Sequence, residues 1–156
     1  LIPMLIIAFM IDYKLQIIPN RLTLTIFEVG LIFTFAETLL NINFGINIFV
    51  NNILGMLVGG GIFLLITLIG GIIAGKEAMG FGDVKLMGAL GLFFGWLNMI
   101  LISVMAFLFA AIVSIIILIS RKKKMNEYIP FGPFIVVASM IPMYLSTSDL
   151  LSLIHI

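Results

Sequence analysis

Apolar residues run in long unbroken stretches separated by short polar punctuation, and the lengths of those stretches predict the elements. A helix crossing a ~30 Å hydrocarbon layer needs about 20 mostly apolar residues. Leu1–Ile11 is too short for a full crossing and is expected to be the end of a truncated span. Asp12–Arg21 is polar, with a break at Pro19-Asn20, because proline disfavours helix in the residue before it. Leu22–Leu40 predicts a second span, the Asn-rich Asn41–Asn47 a turn, and Ile48–Ala74 a third span long enough to tilt. Gly75–Asp83 reads as a polar, Gly-rich loop.

The next stretch decides the topology. Leu86–Ser120 holds 35 residues without a charge, which as one helix would extend ~52 Å. A hairpin turning near Gly95-Trp96-Leu97-Asn98 is therefore expected. The basic run Arg121–Lys124 follows, then a loop to Pro130 and a last span near Phe131–Ser146. Only with the hairpin do all eight basic residues fall on one side, which the positive-inside rule makes the cytoplasm. The expected fold is all-α, a polytopic transmembrane helix bundle of about six segments in one domain over residues 1–156, with both ends truncated. Gly55/Gly59, Gly71/Gly75 and Gly91/Gly95 have the spacing that lets membrane helices approach closely.

Composition agrees. The chain is 63% apolar and 10% charged, against about 45–50% and about 25% in soluble domains. A net charge of +1 gives no reason to expect a nucleic-acid partner, and the absence of cysteine excludes disulfides, thiolate zinc sites and Cys nucleophiles. Membrane lipid is the first partner that such a chain implies.

The predicted topology places Asp12 and Asp83 in one layer, on separate helices. Paired carboxylates titrate apart, so one stays charged while the other holds a proton. The charged one can deprotonate a water for attack on a peptide carbonyl while the other protonates or stabilises the tetrahedral species, chemistry that needs no metal. The bland alternatives stay open: Asp83, after Gly80-Phe81-Gly82, has the position of an N-cap, and Asp12 that of a solvated interfacial acid. Glu28 lies mid-span, where a protonated side chain bonded to a neighbouring helix is expected before catalysis, and Glu37 falls on roughly the opposite face. Lys85 has two readings, biasing a nearby carboxylate or snorkelling to headgroups.

Three segments carry a family resemblance. Ile11-Asp12-Tyr13-Lys14-Leu15-Gln16-Ile17-Ile18-Pro19-Asn20-Arg21 resembles the first-aspartate segment of type IV prepilin peptidases. Gly80-Phe81-Gly82-Asp83-Val84-Lys85 resembles the second, Gly-x-Gly-Asp-x-Lys, and Ile129-Pro130-Phe131-Gly132-Pro133-Phe134 resembles a third near the last helices.

The resemblance implies an intramembrane aspartic endopeptidase of the bacterial plasma membrane with its active site toward the cytoplasm. It would remove the short basic leader of prepilins or pseudopilins, cutting after a Gly just before an apolar helix. Asp12 and Asp83 become the catalytic pair, and Pro19, Asn20, Gly80, Gly82 and Lys85 supporting or substrate-binding residues, with the glycines giving an extended substrate close access to backbone. No cofactor is implied for proteolysis; S-adenosylmethionine enters only if the family's N-methylation of the new terminus is retained. The upstream segment with paired cysteines that longer members carry has no counterpart here. The rival reading from another class is a small proton- or cation-coupled transporter, and a third is a noncatalytic assembly subunit in which both aspartates are caps.

Overall fold

The structure, a computed structural model, describes residues 1–15, 18–40, 45–74, 80–119 and 130–144. The predicted tip of the Asn-rich turn, Lys76, the basic run Arg121–Lys124 and the end of the last span lie outside the described residues. Among the described residues five helices follow in chain order: α1 (Ile2–Leu15), α2 (Asn20–Leu40), α3 (Gly45–Ala74), α4 (Phe81–Ile119) and α5 (Gly132–Tyr144). Asn20–Leu40, Gly45–Ile73 and Phe81–Ile117 are each long and apolar enough to cross a membrane. The chain forms an all-α membrane helix bundle.

α4 consists of two helical halves joined at a break. Gly95 has φ 72° and ψ 173°, outside helical space and on the positive-φ side that only glycine tolerates readily. The packing on α3 shows what the break does. A methyl at Gly59 would lie 2.7 Å from the Met87 carbonyl oxygen and also against the Met99 side chain. In one straight helix those two residues would be ~18 Å apart. One turn earlier on α3, Gly55 meets both Gly91 and Gly95; one turn later, Phe63 stacks on Phe107 at 5.4 Å. The two halves of α4 therefore run back along α3, and the expected hairpin turns at Gly95. Counting both halves gives six segments among the described residues.

Breaking a helix leaves carbonyls without a partner inside it. The Thr34 hydroxyl donates to the Leu92 carbonyl at 3.0 Å, and the Asn98 amide to the Phe94 carbonyl at 3.0 Å. Thr34 reaches inward because α2 is built inside out. Its buried stripe is Thr23, Ile26, Gly30 and Thr34, at helical spacing, while Ile32, Phe35 and Leu39 face outward. Gly30 sits against the Leu92 and Phe93 side chains, and Gly55 against the Gly91 backbone, so the small residues let α2 and α3 close on α4. Phe63, Leu86, Met87, Leu90, Met99 and Ile135 fill the centre and are fully buried.

Several expectations change, among them the start of α3, which begins at Gly45 inside the stretch read as a turn. The first helix does not stop at Ile11 but carries through Asp12 to Leu15. α4 starts at Phe81, inside the stretch read as loop. Glu28 is exposed on the outer face of α2 rather than turned to a neighbouring helix. Outward-facing apolar side chains set the helix face in a membrane, so periodicity alone did not orient it.

Candidate active site

Four chain segments meet at one end of the bundle. The first is the last turn of α1, where Asp12 is 4% exposed. The interfacial, solvated position considered for Asp12 is thus not the one it takes. Helix α1 packs on α5, and the Gly132 N–H donates to Asp12 Oδ2 at 2.9 Å.

That bond follows from the start of α5. A helix begins with N–H groups that have no partner inside it. Here Pro133 has none to offer, and those of Phe134 and Ile135 reach the Phe131 carbonyl at 3.0 and 3.3 Å. The Gly132 N–H remains, and a carboxylate from another helix accepts it.

Asp83 is also 4% exposed. Its N–H donates to the Gly80 carbonyl at 3.1 Å, so Gly80 is the cap of α4 and Asp83 lies in the first turn. The N-cap reading of Asp83 does not hold, since a cap residue precedes the helix. Asp83 lies within electrostatic range of the Asp12 carboxylate, although 71 positions separate the two in the chain.

The link between α1 and α2 supplies the other wall. Pro19 starts α2 with its carbonyl, accepting from Leu22 at 3.0 Å and Thr23 at 3.3 Å. The exposed Lys85 ammonium donates to Asn20 Oδ1 at 2.8 Å. Gly82 packs on buried Ile18: an added methyl would lie 3.0 Å from the Ile18 Cβ. The close approach that Gly82 permits in this structure is thus between the two aspartate segments themselves.

Beside the acids, a cavity of about 500 Å³ has Asn20 and Lys85 at one end. It runs between Thr23, Leu24 and Phe27 of α2, Met56 of α3, and Gly88 and Ala89 of α4. Its walls are apolar below the mouth and neither aspartate lines it. Such a slot suits an apolar chain segment. It does not fit S-adenosylmethionine, whose sulfonium and ribose would find an ammonium and hydrocarbon but no acid.

Asp12, Asp83, Asn20, Lys85 and Gly82 are thus brought together by side chain or Cα, while Pro19 and Gly80 take part through carbonyls that start helices. Gly132 is the residue that sequence reasoning did not single out. Its Pro-Phe-Gly-Pro segment was visible, and Pro133 in a first turn is a recognisable start signal. Nothing in the pattern tied that start to Asp12.

Comparison with known proteins places the chain in a family. Residues 1–115 match the model of the type IV leader peptidase family. A prepilin leader peptidase/N-methyltransferase of Pectobacterium carotovorum is 28% identical over 150 residues, covering 96% of this chain and 51% of the relative. The protein of that name from Pseudomonas aeruginosa is 33% identical, over 85% of this chain and 43% of its own length. That from Escherichia coli K12 is 28% identical, over 84% and 55%. The chain thus spans about half the length of the curated relatives it matches. No solved structure matches it.

Proposed function

The chain belongs to the type IV leader peptidase family, and on that premise we propose that it is an aspartic endopeptidase cleaving the leader from prepilins or pseudopilins. What supports the reading is that Asp12 and Asp83 are both buried, come from separate helices and lie within electrostatic range of each other.

Two carboxylates in one low-dielectric site cannot both ionise cheaply, so the pair holds one proton over a working range of pH. The charged member takes a proton from water as its oxygen attacks the scissile carbonyl. The protonated member stabilises the new oxyanion. Collapse breaks the C–N bond, the leaving nitrogen takes a proton from the pair, and the leader departs with a new carboxylate. The cavity between α2, α3 and α4 offers an apolar resting place for the residues that follow the cut.

The active-site end carries Lys14, Arg21 and Lys85, and by the positive-inside rule it faces the cytoplasm of the bacterial plasma membrane. Membership in a peptidase family leaves the transporter reading without support. A methyltransferase activity, which the relatives' names include, finds no fitting donor site in the cavity described, and no methyl-transfer step is assigned. The test is leader removal by Asp12→Asn and Asp83→Asn variants inserted in membranes at equal amounts; both are expected to be inactive.

A further inference from the structure

We infer that Gly132 is a positioning residue for Asp12, its backbone N–H aiming the carboxylate across the site from the start of α5. The inference rests on the peptidase reading above and adds a role for a segment that reading does not use.

Three observations support it. The Gly132 N–H is the one first-turn donor of α5 that the helix start leaves over, and it goes to Asp12 Oδ2 at 2.9 Å. A donor at a helix N-terminus adds the positive end of the helix dipole to the hydrogen bond, which favours a carboxylate there. Second, the position is held from behind. Phe131 packs against Phe107 at 5.1 Å, Phe63 at 5.7 Å and Phe134 at 6.0 Å, so the residue before Gly132 is locked among rings from α3, α4 and α5. The core thereby sets where the N–H points.

Third, the absence of a side chain at 132 is required by the carboxylate itself. A methyl there would lie 2.9 Å from Asp12 Cγ, 3.2 Å from its Cβ, and against Oδ2. Two of the three atoms in the way belong to the carboxylate, which turns aside by rotation about Cα–Cβ, and the Asp12 Cβ has to give by only a few tenths of an ångström, so Ala at this position chiefly displaces the carboxylate. That separates positioning from folding.

The experiment is Gly132→Ala in the membrane-inserted protein, assayed for kcat and KM on a prepilin substrate. A carboxylate displaced by about 1 Å lowers kcat by about 100-fold, with KM within about threefold of the parent. Gly61→Ala, whose methyl meets nothing within 4 Å, should match the parent in both. A Gly132→Ala kcat within twofold of the parent overturns the inference. Glycine-selective ¹⁵N labelling gives a second measurement that does not depend on the variant folding. The Gly132 amide resonance of the parent should move in Asp12→Asn, which keeps the shape and removes the charge; an unmoved resonance also overturns the inference. Asp12→Asn cleavage separates the two levels. If that variant cleaves like the parent, the peptidase reading has failed. If it is inactive while Gly132→Ala is parent-like, only the positioning role has failed.

Discussion

The Lys85 ammonium donates to the Asn20 side-chain oxygen at 2.8 Å, a bond between residues 65 positions apart. It ties the start of α2 to the first turns of α4, on the same side as the Gly82–Ile18 packing. The two segments that carry the aspartates are thus fastened to each other twice, once by a polar pair and once by close contact.

Cutting the polar fastening should loosen the site without emptying it. An exposed hydrogen bond to a charged donor contributes about 1 kcal/mol, so Asn20→Ala and Lys85→Met should each lower kcat/KM about fivefold. The double variant should be little worse than either single one, because both remove the same bond. Losses that multiply would show that the two residues act separately, each on substrate.

Packing at the other fastening should be less forgiving. A methyl at Gly82 presses on Ile18 Cβ, and both neighbours are anchored in backbone starts. Gly82→Val should destabilise the protein by about 1–3 kcal/mol, read as a lower thermal midpoint in detergent. Trimming Ile18 to Gly beside it, which removes the Cβ itself, should recover part of the loss, and absence of any recovery would place the strain elsewhere.

The turn at Gly95 gives the topology its test. Asp12, Asn20 and Asp83 lie at one end of the bundle and Gly95 at the other, so Tyr13 and Trp96 face opposite sides of the membrane. Both are exposed, at 68% and 41%, and the chain has no cysteine to interfere. In intact cells an impermeant thiol reagent should label Trp96→Cys and spare Tyr13→Cys. Labelling of both from outside would break the six-segment arrangement.

Gly95→Ala tests why the turn is glycine. At φ 72° a side chain costs about 1–2 kcal/mol, and the methyl would also strike the Asn51 amide, 2.9 Å away at Cγ. The variant should insert but melt earlier. A melting temperature equal to the parent's would mean that the hairpin tolerates a different backbone there.

Much of this was legible from residues alone, for identifiable reasons. Span length is fixed by bilayer thickness, so an uncharged run of 35 residues had to turn, and the Gly95-Trp96-Leu97-Asn98 stretch was the natural place. The two aspartates stood out because charge is scarce in such a chain. Local punctuation was harder. Gly80-Phe81-Gly82 looks like loop, yet the Gly80 carbonyl caps a helix that starts at once, moving Asp83 from cap to first turn. Glu28 was oriented wrongly because both faces of α2 are apolar and only packing chooses between them. The Asp12–Gly132 bond was out of reach, since it joins a helix end to a helix start 120 positions away and neither sequence segment marks the other.

The central claim is that Asp12 and Asp83 act as one catalytic unit, and leader removal by the Asp→Asn variants tests it most directly. Asparagine nearly preserves shape and can still accept the Gly132 N–H, so both variants should insert and fold. Each has lost a carboxylate that water activation or proton donation requires. Residues that act as a unit give non-additive losses, so either single variant should lose essentially all cleavage and the double variant should be no worse. The measurement is cleavage of a prepilin substrate in membranes holding equal, correctly inserted amounts of each protein. Cleavage by Asp83→Asn at anything near the parent rate would contradict the account.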